Sequence, residues 1–239
     1  MSLKSLYLLK EKMHNYQSYP FSLPLIKRLD TLHFSSNVTF FVGENGSGKS
    51  TLLEAIAYQC GFNTAGGGRN NTYYVESSEA ALGNYVRLSW FPKLTNGFFM
   101  RAESFYEFAT HIDEIGMYEA YGGRSLHTQS HGESFLSLFN HRFRDRGIYL
   151  LDEPEAALSP ARQLALLRII KDLSQDSQFI IATHSPILMG YPDAQIINFD
   201  SHPIAQIRYE DTDHYQITRK FLENRKSVLK HLFEDDSEE

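Results

Sequence analysis

Residues 43–50 read GENGSGKS and match the pattern G-x-x-x-x-G-K-[ST]. The stretch lies between VTFF (38–41), an apolar run with strand character, and TLLEAIAYQ (51–59), which has helical character. A glycine-rich turn from strand into helix presents backbone N–H groups that curl around phosphate oxygens. Lys49 brings charge to the β- and γ-phosphates, and the Ser50 hydroxyl can ligate Mg²⁺. At average residue usage the pattern arises by chance in about one chain in a hundred of this length, before the strand and helix flanks are required. Gly43, Glu44, Asn45, Gly46, Ser47, Gly48, Lys49, Ser50 and Thr51 are therefore the candidate nucleotide contacts.

Outward from this loop, strand-like runs recur at 38–43, 85–91, 97–100, 147–152, 178–183 and 194–199. Several are apolar throughout, as in IYLL and FIIA, which suggests a sheet covered on both faces. The helical pattern ARQLALLRIIKDL (161–173) fits a βαβ crossover. The expected architecture is α/β, a mostly parallel sheet with flanking helices in one domain over 1–239. The glycine-rich TAGGGRNN and the aromatic-rich segment ending in YGGRS mark an inserted, partly helical subdomain over 61–129. The last helical pattern places Ile217, Phe221, Val228, Leu229 and Leu232 near one face, and an acidic tail follows at 234–239.

A second chemical element is IYLLDEPEAALSP (148–160). Its apolar run delivers Asp152 and Glu153 at the carboxyl end of a buried strand, where α/β sheets bind ligands. Asp152 would hold Mg²⁺, while Glu153 would orient and deprotonate an attacking water. The alternative is an acidic helix N-terminus, favoured by the helix dipole; the phosphate loop upstream weighs for catalysis.

Composition sets outer bounds. With 239 residues and 42% hydrophobic content the chain can bury a sizeable core. A formal net charge of −6 argues against nucleic-acid binding by bulk charge, though not against a local basic groove. The single Cys60 excludes an internal disulfide, and the N-terminus lacks the apolar region of a signal peptide, so the cytoplasm is the expected compartment. No apolar run approaches the roughly 20 residues of a membrane-spanning helix, so direct membrane insertion is not expected.

Taken in order, GENGSGKS, QSHGE (129–133), LLDEPEAALSP and THS (183–185) resemble the ATP-binding-cassette (ABC) P-loop ATPases over most of the chain. The acidic residue after the proline in DEPEAALSP is similar to the RecF, SMC and OLD-like soluble branch, grouped with stand-alone AAA family ATPases. The resemblance implies an ABC-type head using ATP and Mg²⁺. It makes QSHGE the signature motif, with Ser130, Gly132 and Glu133 on its serine, second-glycine and terminal positions, while Gln129 and His131 depart from the family pattern. A serine hydroxyl and free N–H groups at a helix start make a γ-phosphate reader. The same residues also fit a capping box, Ser130 at N-cap and Glu133 at N3.

The resemblance further implies that His184 is the switch histidine that contacts the γ-phosphate and holds Glu153 and water in line; none of the other histidines is singled out. Glu103 stands where the family senses Mg²⁺ through a glutamine, and is otherwise a surface charge. Tyr16, Tyr19 and Phe21 are candidates for stacking on adenine, with core packing the commoner fate of aromatics. Ser159 replaces the usual aspartate of the D-loop. Arg69 and Arg124, each near glycines, are either phosphate or partner contacts or solvated side chains. The implied function is an ATP-hydrolysing switch in which two chains sandwich ATP, with DNA or a partner protein coupled to it. A membrane transporter's energy subunit and a regulatory nucleotide-binding module are the alternatives.

Overall fold

The computed structural model describes residues 1–69, 81–129, 131–143 and 146–234. A six-stranded sheet has the order β5-β6-β7-β3-β8-β9, built from β3 (Val38–Val42), β5 (Gly97–Arg101), β6 (Ile148–Asp152), β7 (Gln178–Ala182), β8 (Gln195–Asn198) and β9 (Ala205–Ile207). Its neighbours are parallel except β8 and β9. Beside it, β1 (Leu3–Leu8), β2 (Thr31–His33) and β4 (Val86–Trp90) form an antiparallel sheet in the order β2-β1-β4. The α/β architecture, with a mainly parallel sheet and flanking helices, is the one the sequence predicts. The strands Leu3–Leu8, Thr31–His33 and Ala205–Ile207 are additions to it.

The apolar runs make strands because both of their faces are covered: β3, β6 and β7 are buried at every position. Phe41, Phe99, Leu150, Ile180 and Ala182 face one core, shared with α1 (Pro24–Arg28), α2 (Lys49–Cys60) and the antiparallel sheet. Phe40, Phe98, Tyr149, Leu151, Phe179 and Ile181 point the other way. They pack on α3 (Phe105–Glu114), α4 (His131–Arg142), α5 (Pro160–Leu173) and α6 (Pro186–Met189). The helix α2 lies between the sheets, touching β4 on one side and β6 and β7 on the other.

The segment 61–129 is woven into both sheets rather than standing outside them. β4 pairs with β1, and β5 pairs with β6 from Gly97 opposite Ile148 to Arg101 opposite Asp152. Its helical part begins at α3, whose Phe105, Phe108 and Ile112 seal the second core. At the chain's end, α7 (Asp213–Glu234) is interrupted by non-helical backbone at Asn224. Ile217 and Leu232 of its predicted apolar face remain 68% and 62% exposed. Of the acidic tail, 235–239 lie outside the described residues. Among the described residues, no helix is long and apolar enough to cross a membrane.

Candidate nucleotide site

Sheet register brings the chemistry together. β7 lies between β6 and β3, with Asp152 level with Ala182 and Ala182 level with Phe41. Glu153, His184 and the 43–50 loop therefore leave neighbouring parallel strands at the same edge, the carboxyl end where such sheets bind ligands.

The loop closes onto α2 through Gly48, which holds a left-handed φ of 100° as the residue preceding the helix. A Cβ there would approach Leu25 Cδ2 to 2.6 Å. Gly48→Ala is expected to cost about 1–2 kcal/mol from the left-handed backbone alone, read as a lower midpoint in chemical unfolding. Lys49, 4% exposed, donates from Nζ to the carbonyls of Gly43 (2.7 Å) and Glu44 (2.9 Å). Burial pulls its pKa down, while Glu153, Asp200, Asp152 and Glu44 pull it up. The Asp200 carboxylate accepts from the Glu44 backbone N–H at 2.8 Å. It enters from the end of β8 and carries no sequence signal of its own.

Ser50 Oγ donates to Asp152 Oδ1 at 2.9 Å. Asp152 is 4% exposed, and burial pushes its pKa up to about 6 against the Ser50 hydrogen bond and Arg101. A hydroxyl and a buried carboxylate side by side form the hard-oxygen donor pair that suits Mg²⁺.

Arg101, at the end of β5, is a hub that no local sequence pattern marks. It pairs with Glu54, with Glu103 at 2.9 Å and, more distantly, with Asp152 at 3.7 Å. Glu103 is thereby held in an ion pair, 75% exposed, rather than joining the Ser50–Asp152 pair. Burial raises the Glu54 pKa to about 7, against Arg101. A raised folded-state value favours the protonated form, so this contribution to stability is complete below about pH 4.5 and is lost as pH rises through about 7. The Glu54→Gln variant removes that titration, and its stability relative to the natural chain is expected to improve by on the order of 2 kcal/mol between pH 5 and pH 8.5. Paired denaturant titrations at the two pH values measure it.

Glu153 has φ 49° and ψ 51°, a left-handed conformation that costs a non-glycine residue roughly 1–3 kcal/mol and clusters at active sites. Its Oε1 lies 3.7 Å from His184 Nε2. His184 is held by its backbone N–H, which donates to Glu155 Oε1 at 2.6 Å, and by its Nδ1, 2.8 Å from His214 Nε2. Burial, then the charges of Lys49 and His214, keep the His184 imidazole below its usual pKa, hence neutral near pH 7. Ser185 accepts from the N–H groups of Ile187 and Leu188 and so caps α6, fixing the turn after His184.

A cavity of about 180 Å³ at the loop is lined by Tyr19, Asn45, Gly46, Lys49, Ser50, Thr51 and Glu153, among others. Of the aromatic candidates, Tyr19 stands at this cavity, its hydroxyl 2.9 Å from Thr51 Oγ1 and its residue 68% exposed. Tyr16 and Phe21 pack against the first core instead. A larger groove lies between α6 and α7 and is lined by Ile187, Tyr209, Tyr215 and Leu222.

Of the QSHGE residues, Ser130 lies outside the described residues. Gly132 and Glu133 fall in the first turn of α4. A Cβ at Gly132 would overlap the Arg162 guanidinium, which also lies 3.7 Å from Glu133. Arg69 donates to the Cys60 carbonyl at 2.9 Å, closing the end of α2, and Arg124 is exposed. Ser159 precedes α5 without a side-chain cap bond.

This arrangement puts a phosphate loop, an acidic pair and a histidine on three adjacent strand ends, the pattern of a P-loop nucleotide site. A family profile described as an AAA domain matches residues 12–139, more than half of the chain, and the protein belongs to that family. Residues 118–190 match a second profile, described as "AAA domain, putative AbiEii toxin, Type IV TA system". Among solved structures, an inward-facing ABC transporter of metal-chelate type is 16% identical, with 91% of this chain and 88% of that chain covered and a TM-score of 0.52. An SMC head domain from Thermotoga maritima is 18% identical over 87% of this chain and 99% of its own, with a TM-score of 0.47. These likenesses concern the fold. No curated protein sequence matches significantly.

Proposed function

We propose that the chain binds and hydrolyses ATP, and that two copies close head to tail over the nucleotide as a switch. The observation that carries this reading is the convergence of the Lys49–Ser50–Asp152 cluster with the Glu153–His184 pair at one sheet edge. Lys49 neutralises charge on the β- and γ-phosphates, exchanging its two carbonyl partners for phosphate oxygens. Ser50 and Asp152 would hold a divalent cation, which when bound would offset phosphate charge. Glu153 takes a proton from the attacking water, and neutral His184 donates from Nε2 toward the γ-phosphate.

Tyr19 is the side chain proposed to stack on adenine, standing exposed at the cavity mouth. The partner copy's α4 start, with Ser130, Gly132 and Glu133, reads the γ-phosphate from the opposite side. The acidic residue in DEPEAALSP supports the RecF, SMC and OLD-like branch, and with it DNA or a partner protein as the element coupled to the switch.

The direct test is phosphate release with Mg-ATP at saturation. Saturable release that requires a divalent cation is the expected result. Bound ATP that stays intact over many hours would overturn the hydrolytic part and favour a regulatory nucleotide-binding module.

A further inference from the structure

Resting on that reading, we propose that His214, in the first turn of α7, is a positioning residue that fixes the tautomer and ring orientation of His184. The Nε2 of His184 is buried, has no hydrogen-bond partner, and faces Glu153 Oε1 at 3.7 Å. A lone pair at that nitrogen would face a carboxylate, and later a phosphate, with repulsion. A proton there turns the same nitrogen into a donor aimed at the place where charge develops. In a neutral imidazole the proton can sit on one nitrogen only, so Nε2–H leaves Nδ1 as an acceptor that needs a donor. The atom at hydrogen-bond distance from Nδ1 is His214 Nε2, at 2.8 Å. His214 donates through Nε2 in its cationic form and in its Nε2–H form alike, and in either it selects the useful tautomer of His184.

The donor is firmly seated. Thr212, 1% exposed, accepts from the Tyr215 N–H at 3.3 Å and so caps the turn that carries His214. The Tyr209 hydroxyl donates to the Pro186 carbonyl at 2.9 Å, tying the base of α7 to the segment that directly follows His184. The backbone of His184 is anchored separately through Glu155, so loss of His214 frees the ring without releasing the strand end.

The test combines long-range ¹H–¹⁵N spectra of the histidines with kinetics for the natural chain, His214→Ala, His214→Gln, His184→Ala and the double alanine variant. Glutamine places an amide donor near the position of the lost Nε2. His184 is expected as the Nε2–H form in the natural chain and in His214→Gln, and as a mixture in His214→Ala. The His214→Ala variant should lose about tenfold or more in kcat with ATP affinity unchanged, glutamine should restore most of it, and the double variant should be no slower than His184→Ala. An unchanged His184 tautomer in His214→Ala would overturn the proposal, as would unchanged kcat or losses that multiply in the double variant. A natural chain without turnover would instead remove the hydrolytic reading, and the spectra would still decide the role of His214.

Discussion

Lys49→Ala is expected to weaken Mg-ATP binding by at least about a hundredfold. The ammonium, buried and held by the carbonyls of Gly43 and Glu44, already sits at the centre of the loop. Charge-assisted hydrogen bonds contribute roughly 1.5–3 kcal/mol each, and about 1.4 kcal/mol is tenfold in affinity. Losing two such bonds to phosphate gives the predicted factor. The fold should survive, because removing a buried ammonium also removes its desolvation cost, which is the leading cause of its lowered pKa. Calorimetric titration with Mg-ATP, beside a thermal melt, separates the two effects. A folded variant that binds as the natural chain does would contradict the assignment of the loop.

Glu153→Gln is expected to keep ATP affinity and lose turnover by about 10² to 10⁴-fold, the usual worth of a positioned general base. The amide preserves size and the left-handed backbone at residue 153, while it cannot accept the proton of the attacking water. Loss of kcat with unchanged affinity is the signature of an interaction used in the transition state. Rapid quench of a single turnover reads it directly; wild-type rates in this variant would move the base elsewhere.

Much of this was legible because the chemistry sits at the ends of locally recognisable strands. GENGSGKS after VTFF, Asp152 and Glu153 after IYLL, and His184 after FIIA each carry their context with them, and register then brings them together. The strands that escaped notice lack such a pattern. β1 is half of a long-range pair with β4, β2 has three residues, and β9 is only partly buried. Within the site, the side chains not found were those supplied by tertiary contact. Arg101 was only the residue after FFM, although it joins Glu54, Glu103 and Asp152. Asp200 reaches the loop because β8 lies beside β3. His214 belongs to a helix whose sequence speaks of amphipathic packing, and nothing in its spacing points to His184. Tyr19 was separable from Tyr16 and Phe21 only once burial was known.

In the proposed switch, ATP joins two copies of this chain across their nucleotide sites. It is tested most directly by the solution mass of Glu153→Gln with and without Mg-ATP, by light scattering on a sizing column, alongside the same variant carrying Ser130→Arg. A mass that doubles with Mg-ATP and stays single when Ser130→Arg is added is the predicted result. A variant that binds ATP and keeps the single-chain mass both with and without Mg-ATP would contradict it.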